Sequence, residues 1–306
     1  MNLIRKKISE FWGSKENTTE RYGKGFHWVE SSLVTAMINK KTSGDAKVDM
    51  VAYFIKNYLN DRKGQYSGLS LGCGTGYLER RFQTEKIFKN LEAVDISDGV
   101  IKQAREQAKK EGLISNIQYR VSDINNIKLE KNKYDVVIAN SSLHHIENLE
   151  HVAREINSSL KENGLLFVSE FVGPSQFQYT EKQVLIINEI LDLLPDIYRK
   201  SVTNPVNVKP EFIPSPIEYM NEVDPSEAIR SAEIVKILKD NLVVVEEKEF
   251  GGTLLHMLLQ DIVGNFNPND PKDTTVLRLI LYLEDLLIKE KILRSDFVFM
   301  ILKKKN

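Results

Sequence analysis

Three glycines at alternate positions, Gly72, Gly74 and Gly76, sit in the stretch LSLGCGTGYLER, where an apolar run gives way to an amphipathic one. Glycine costs roughly 0.5–1 kcal/mol against alanine inside regular structure, so such a cluster needs a use. The use that suits a strand-to-helix turn is close approach of a ligand to free backbone N–H groups at a helix N-terminus. Two acids end later apolar runs, Asp95 in AVDIS and Asp123 in VSDI. A carboxylate at the carboxyl end of a strand can accept from both hydroxyls of a ribose. A second one can accept from an adenine amino group. Tyr77 stands where the dinucleotide fingerprint needs its last glycine, and neither Lys nor Ser/Thr follows in the P-loop manner. These residues point to an adenosine ligand without a pyrophosphate. Each acid also has a plainer reading: Asp95 as a helix cap, for which Ser97 is better placed, and Asp123 as a turn residue.

His144 and His145 directly follow the run YDVVIAN. One of them could deprotonate a hydroxyl, or the LHHI stretch packs and orients its own loop. Glu170 stands next to last in the run LLFVSEF, at the end of the fifth strand, and is a candidate for contacting substrate. Trp28 or Tyr22, in RYGKGFHWVESS, could face a cation, or Trp28 simply anchors this segment. His256, in GGTLLHMLLQ, reads as core or as lining of a substrate cap, and Arg230 as a partner for an anionic substrate group or for Glu227. Cys73 is the only cysteine; it reads as a small loop filler and excludes an intrachain disulfide framework or a cysteine zinc cluster.

Such residues need strand ends to hold them, and the periodicity supplies these. Residues 47–60 carry Met50, Val51, Phe54, Ile55 and Leu59 at helical spacing. Short apolar strands then alternate with helices: LEAVD, a helix capped by Ser97 and stopped at Gly112, IQYRVSD, YDVVIAN, a helix from Leu149 to near Gly164, and LLFVSEF. This alternation predicts a doubly wound, mostly parallel α/β sheet. Most of the prolines then fall between Pro174 and Pro225, so that region is no single element. A helix over 181–194 and one opening at DPSE, with Asp224 as cap and Glu227 reaching back, suggest a lid over the sheet. Strand-like NLVVVEEKEF and DFVFMILKKK close the chain around a mostly helical stretch.

The ordered motifs LSLGCGTGYLER, AVDIS, VSDI and YDVVIANSSLHHIENLEHVAREINSSLKENGLLFVSEF resemble those of the class I S-adenosylmethionine-dependent methyltransferases, small-molecule type, over residues from about 47 to 171 and the closing strands. The resemblance implies a seven-stranded Rossmann-like sheet whose last strand runs antiparallel beside the sixth. It implies S-adenosylmethionine as cofactor, with Gly72, Cys73, Gly74 and Gly76 wrapping the methionine part, Asp95 and Ile96 at the ribose, Asp123 and Ile124 framing the adenine, and Asn140 near the reacting methyl group. The organisation that follows is an N-terminal helical lid over residues 1–46, a cofactor-binding core over 47–173, a proline-rich helical substrate cap over 174–240, and closing strands with a helical insertion over 241–306.

The reaction so implied is in-line methyl transfer to an O or N atom of a small molecule, such as a sugar or another metabolite. Alternatives are transfer to a carrier-bound or tRNA-linked group, or a cofactor-binding partner protein without activity. No Pro-Pro-aromatic follows Asn140, as the amino-methylating DNA enzymes require. No cysteine outside the glycine loop serves carbon-5 pyrimidine chemistry. IANSSLHH has no carboxylate cluster, which points to metal-independent transfer. The net charge of −1 gives no global field toward nucleic acid. The opening residues lack a signal-peptide core and no apolar run reaches ~18 residues, so a soluble cytoplasmic protein without membrane contact is expected. The amphipathic run TVLRLILYLEDLLIKEKIL offers a surface for a homodimer.

Overall fold

Residues 3–14 and 23–305 are described by a computed structural model. Seven strands form one sheet: β1 (Tyr66–Leu71), β2 (Phe88–Asp95), β3 (Ile117–Val121), β4 (Tyr134–Asn140), β5 (Leu160–Phe171), β6 (Val243–Gly251) and β7 (Phe297–Lys303), in the order β3-β2-β1-β4-β5-β7-β6. β1 to β5 pair in parallel, and β7 is antiparallel to both β5 and β6. The expected mostly parallel sheet with an antiparallel last strand is thus present.

Both faces of the sheet are covered, which explains why its central strands read as unbroken apolar runs rather than alternating ones. Along β4, Val136 and Ile138 pack into one core with Phe54, Ile101 and Phe167, while Val137 and Ala139 pack into the other with Val152, Ile156 and Leu238. The helices over those faces include α1 (Leu3–Gly13), α2 (Ser32–Ser43), α3 (Met50–Tyr58), α4 (Tyr77–Thr84), α5 (Asp98–Lys110) and α6 (Leu149–Ser159). α6 stops at Ser159, earlier than the expected end near Gly164, because Leu160 already pairs with Tyr134 as the first residue of β5.

Beyond β5 come α7 (Glu181–Leu193), the single turn α8 (Asp196–Arg199), α9 (Ile217–Val223) and α10 (Ile234–Asn241). Thr180 and Gln183 cap α7 reciprocally. The helix expected from Pro225 does not form. Asp224 Oδ1 instead accepts from the amide and hydroxyl of Ser226, and Ala228 adopts φ 50°, which breaks helical geometry. Between β6 and β7 lie α11 (Leu255–Leu259) and α12 (Pro271–Lys289). No described helix is long and apolar enough to cross a membrane.

Candidate active site

All the candidate strand-end residues gather along one edge of the sheet, as an open α/β sheet requires. Following the strand order, β3 brings Asp123, β2 brings Asp95 and Ile96, β1 brings Gly72, β4 brings Ser141, Ser142, His144 and His145, β5 brings Phe171, and β7 and β6 bring Phe297 and Phe250. These residues line one cavity of about 880 Å3. Its β3–β1 half is polar at Asp95 and Asp123 and apolar at Ile96, Val100 and Ile124. Its β5–β6 half is aromatic, with Trp28, Phe171, Phe177, Phe250, His256 and Phe297. The loop after β4 stands between the two.

The glycine turn is built for close packing. Gly72 has φ 70°, and a Cβ there would lie 2.4 Å from the Ser142 Cβ, so the β1 and β4 loops approach as only glycine allows. Gly76, at φ 76°, begins α4, and a Cβ on it would meet the Tyr119 hydroxyl at 2.4 Å. Gly72 lines the cavity, whereas Cys73, Gly74 and Gly76 shape the turn behind it. Burial, with Glu79 and Asp95 nearby, pushes the Cys73 thiol up, which suits a filler and not a nucleophile.

Asp95 accepts from the Gly74 amide through Oδ2 and from the Ser97 amide through Oδ1, each at 2.9 Å. Each oxygen keeps a further lone pair, and the carboxylate faces the cavity beside a backbone turn, a donor–acceptor set that fits a ribose diol. Burial raises its pKa, against the two amide bonds. Asp95 does not cap α5 through its side chain to a helical amide; Ser97 is the N-cap residue, and its hydroxyl donates to Ser9 O of α1. Asp123 accepts from the Asn125 amide and the Asn126 side chain and pairs with Arg5 at 2.9 Å.

α1 roofs the cavity. Ile8 and Trp12 line it, the Trp12 indole donates to Asp224 Oδ2 at 2.7 Å, and its ring meets His145 edge-on at 5.2 Å. Trp28 was expected to face a cation or to anchor its segment. Trp28 is buried against Phe297 and near His256, lining the aromatic half while anchoring its segment. Tyr22 lies outside the described residues.

His144 and His145 line the cavity with different surroundings. Glu170, 1% exposed, accepts from the Ser142 and Leu143 amides through Oε1 and is bonded to His144 Nδ1 at 2.7 Å through Oε2. The expectation that Glu170 contacts substrate is therefore corrected: it lies under the β4 loop and holds it. Burial alone would depress His144, but the Glu170, Glu227 and Asp224 carboxylates outweigh it and push the imidazole up to about 9. His145 is held below its ordinary value by burial and by His144, against the pull of the same acids. Its Nδ1 is 3.2 Å from Ser226 Oγ.

Arg230 is likewise corrected. It binds Glu150 and Glu233 in two-pronged fashion outside the cavity, so it is satisfied within the protein. Glu227, expected to cap a helix, instead lines the cavity facing both histidines, 3.6 Å from His144 Nε2 and 4.0 Å from His145 Nε2. Asn140 ends β4 but does not line the cavity; Ser141 and Ser142 do. His256 is cap-lining: it sits among Phe171, Phe177 and Phe297, with Tyr179 Oη at 3.4 Å from Nδ1, and burial drops it to about 3. Trp12 lies in a segment without a motif, and the DPSE capping pattern pointed Glu227 to a helix start rather than to the cavity.

A polar end with Asp95 and Asp123, a glycine turn and an adjoining aromatic chamber on this sheet mark a group-transfer enzyme using an adenosine cofactor. A methyltransferase-domain family model matches residues 63–240, and the chain belongs to that family, among the class I S-adenosylmethionine-dependent methyltransferases. It is similar to the malonyl-[acyl-carrier protein] O-methyltransferase of Bacillus cereus, 31% identical over 133 residues, or 42% of this chain and 46% of that one. The enzyme of the same name from Acetivibrio thermocellus is 32% identical over 111 residues, 36% and 38% of the two chains. The chain thus spans about half the length or less of these curated relatives. Among solved structures, geranyl diphosphate C-methyltransferase of Streptomyces coelicolor superposes with TM-score 0.56 at 12% identity over 99% of both chains. Phosphoethanolamine N-methyltransferase 2 of Haemonchus contortus gives 0.52 at 17% over 98% of this chain and 60% of its own. These likenesses are of fold.

Proposed function

We propose that this chain transfers a methyl group from S-adenosylmethionine to an oxygen or nitrogen atom of a small, largely apolar acceptor held in the aromatic half of the cavity. The observation that carries this reading is the continuity of the cavity across the strand ends, with an adenosine-type end at β3–β1 and an aromatic end at β5–β6. S-adenosylmethionine supplies a methyl group already activated as a sulfonium. Asp95 and Ile96 would hold its ribose, Asp123 and Ile124 its adenine, and the Gly72 turn its methionine part.

The remaining work of this chain is positional. Orientation accounts for roughly 7–11 kcal/mol of such a barrier, and a dry wall excludes competing water. Trp28, Phe171, Phe177 and Phe297 provide that wall. A polyhydroxylated sugar finds few polar partners there, so a phenol, an amine on an apolar frame or an acyl chain fits better than the sugar first expected. Acceptor activation falls to the His144–His145–Glu227 cluster between the halves, where an acceptor hydroxyl would lose its proton. Glu170 acts through His144 as a positioning residue.

A second reading, an acyl group presented on a carrier protein, is favoured by the malonyl-[acyl-carrier protein] O-methyltransferases to which the chain is similar. One experiment separates the two. Label from methyl-labelled S-adenosylmethionine is followed into a panel of free phenols and aryl or alkyl amines, and into acylated carrier protein. Turnover of free apolar acceptors, cut about 10²- to 10⁴-fold in kcat by His145→Ala with S-adenosylhomocysteine affinity kept, is the expected result for a hydroxyl acceptor. Label entering only the carrier-bound acyl group would establish the second reading instead.

A further inference from the structure

The loop after β4 and the loop after α9 bring three donor atoms together without joining them. One imidazole nitrogen each of His144 and His145 and a Glu227 carboxylate oxygen lie within 4.8 Å of one another, and the Nε2 atoms of His144 and His145 stand 3.6 Å from Glu227 Oε1 and 4.0 Å from Glu227 Oε2, respectively. Both Nδ1 atoms are already engaged, that of His144 with Glu170 at 2.7 Å and that of His145 with Ser226 Oγ at 3.2 Å. The Nε2 atoms therefore point their lone pairs or protons at Glu227. The separations of 3.6 and 4.0 Å are too long for hydrogen bonds, and among the described residues nothing bonds the Glu227 carboxylate. Donors around a tetrahedral ion with bonds of roughly 2.1 Å stand about 3.4 Å apart, close to the spacing found here.

We propose that His144, His145 and Glu227 bind a divalent first-row transition-metal ion, of the zinc, iron, cobalt or manganese type, at the junction of the two halves of the cavity. Two imidazoles and one carboxylate suit that class better than magnesium or calcium, which prefer oxygen. Glu170 takes the place beneath a ligating histidine that carboxylates hold in metal sites, fixing the ring so that Nε2 coordinates. Three carboxylates, those of Glu227, Glu170 and Asp224, surround the two rings and supply negative charge for a cation. All three donors line the cavity, leaving open coordination positions for an acceptor oxygen, whose proton such an ion would make easier to remove. The carboxylate comes from a loop distant in sequence from the histidines, which is why the motif IANSSLHH alone pointed to metal-free transfer. The inference rests on the acceptor meeting the cofactor at this junction, as proposed above.

The test uses tag-free, metal-stripped protein titrated with Co2+, read by visible d–d absorption and by metal content after gel filtration, with S-adenosylhomocysteine binding measured on the same samples by calorimetry. One Co2+ per chain is expected, with Glu227→Ala weakening it at least tenfold and Glu170→Gln about 10- to 100-fold. Both variants should keep the wild-type circular dichroism spectrum. Folded protein that binds S-adenosylhomocysteine but no stoichiometric Co2+, or a Glu227→Ala variant that binds Co2+ as wild type does, would overturn the metal site and leave the methyltransferase reading standing. Co2+ bound with the expected dependence but no S-adenosylhomocysteine would do the reverse.

Discussion

Glu79 is a buried carboxyl group with one oxygen left without a hydrogen-bond partner among the described residues. It sits on α4 directly beneath the glycine turn, 1% exposed, with Oε1 accepting from Ser70 Oγ at 2.5 Å and Oε2 without a partner. Burial, reinforced by Asp95 and opposed by Ser70, moves its carboxyl from 4.5 to about 7. The folded protein therefore favours the protonated form. The stabilisation this brings is full below pH 4.5 and is lost as pH rises through about 7. The size is on the order of 3 kcal/mol at its upper limit. Glu79→Gln mimics the protonated form, so urea midpoints of wild type and variant should agree below about pH 4 and diverge by pH 8, with the variant more stable. Parallel pH profiles would show that Glu79 is hydrated and ordinary. Read from the sequence, this residue was only one polar position in an amphipathic run, since burial of a carboxylate leaves no local signature. That Asp95, Ile96, Asp123, Ile124 and Gly72 line the cavity was legible because these residues stand at strand ends. Glu170 and Arg230 misled because residue type shows a charge but not the partner that satisfies it.

At the scale of elements, strands and crossover helices followed from periodicity, and the errors cluster where tertiary contacts override it. α6 yields to β5 at Leu160, and DPSE makes a turn because Ser226 and Trp12 take both oxygens of Asp224. The proline-rich cap shows the same dependence on distant contacts. Lys209, in an extended stretch of that cap, donates Nζ to the Met257, Leu258 and Gln260 carbonyls at 2.5, 3.2 and 3.0 Å, closing the C-terminal end of α11. Burial lowers its pKa to about 8. An ammonium on the last carbonyls of a helix is favourable both as a donor and against the helix dipole. Lys209→Met keeps most of the stem and removes the donors, leaving three carbonyls short of a partner. We expect a loss of roughly 2–3 kcal/mol in urea denaturation and faster proteolytic cutting between residues 200 and 216. Unchanged stability and cutting would mean that water serves these carbonyls equally well.

For the whole molecule, the sheet order divides one cavity into a half with Asp95 and Asp123 and an aromatic half, with α1 closing over it through Arg5, Ser9 and Trp12. The first half was readable because the motifs of the methyltransferase family mark it. The second was legible only at Trp28 and His256, because Phe171, Phe250 and Phe297 reach it from three separate strands and share no motif. In the function proposed above, the Asp95 end of the cavity holds the adenosine cofactor. Calorimetric titration of the wild-type chain and of Asp95→Ala with S-adenosylhomocysteine, with NAD as control, tests it most directly. Micromolar binding of S-adenosylhomocysteine by wild type, weakened at least tenfold in the variant and absent for NAD, is the predicted result. Folded wild type that ignores S-adenosylhomocysteine, or an Asp95→Ala variant that binds it undiminished, would contradict the account.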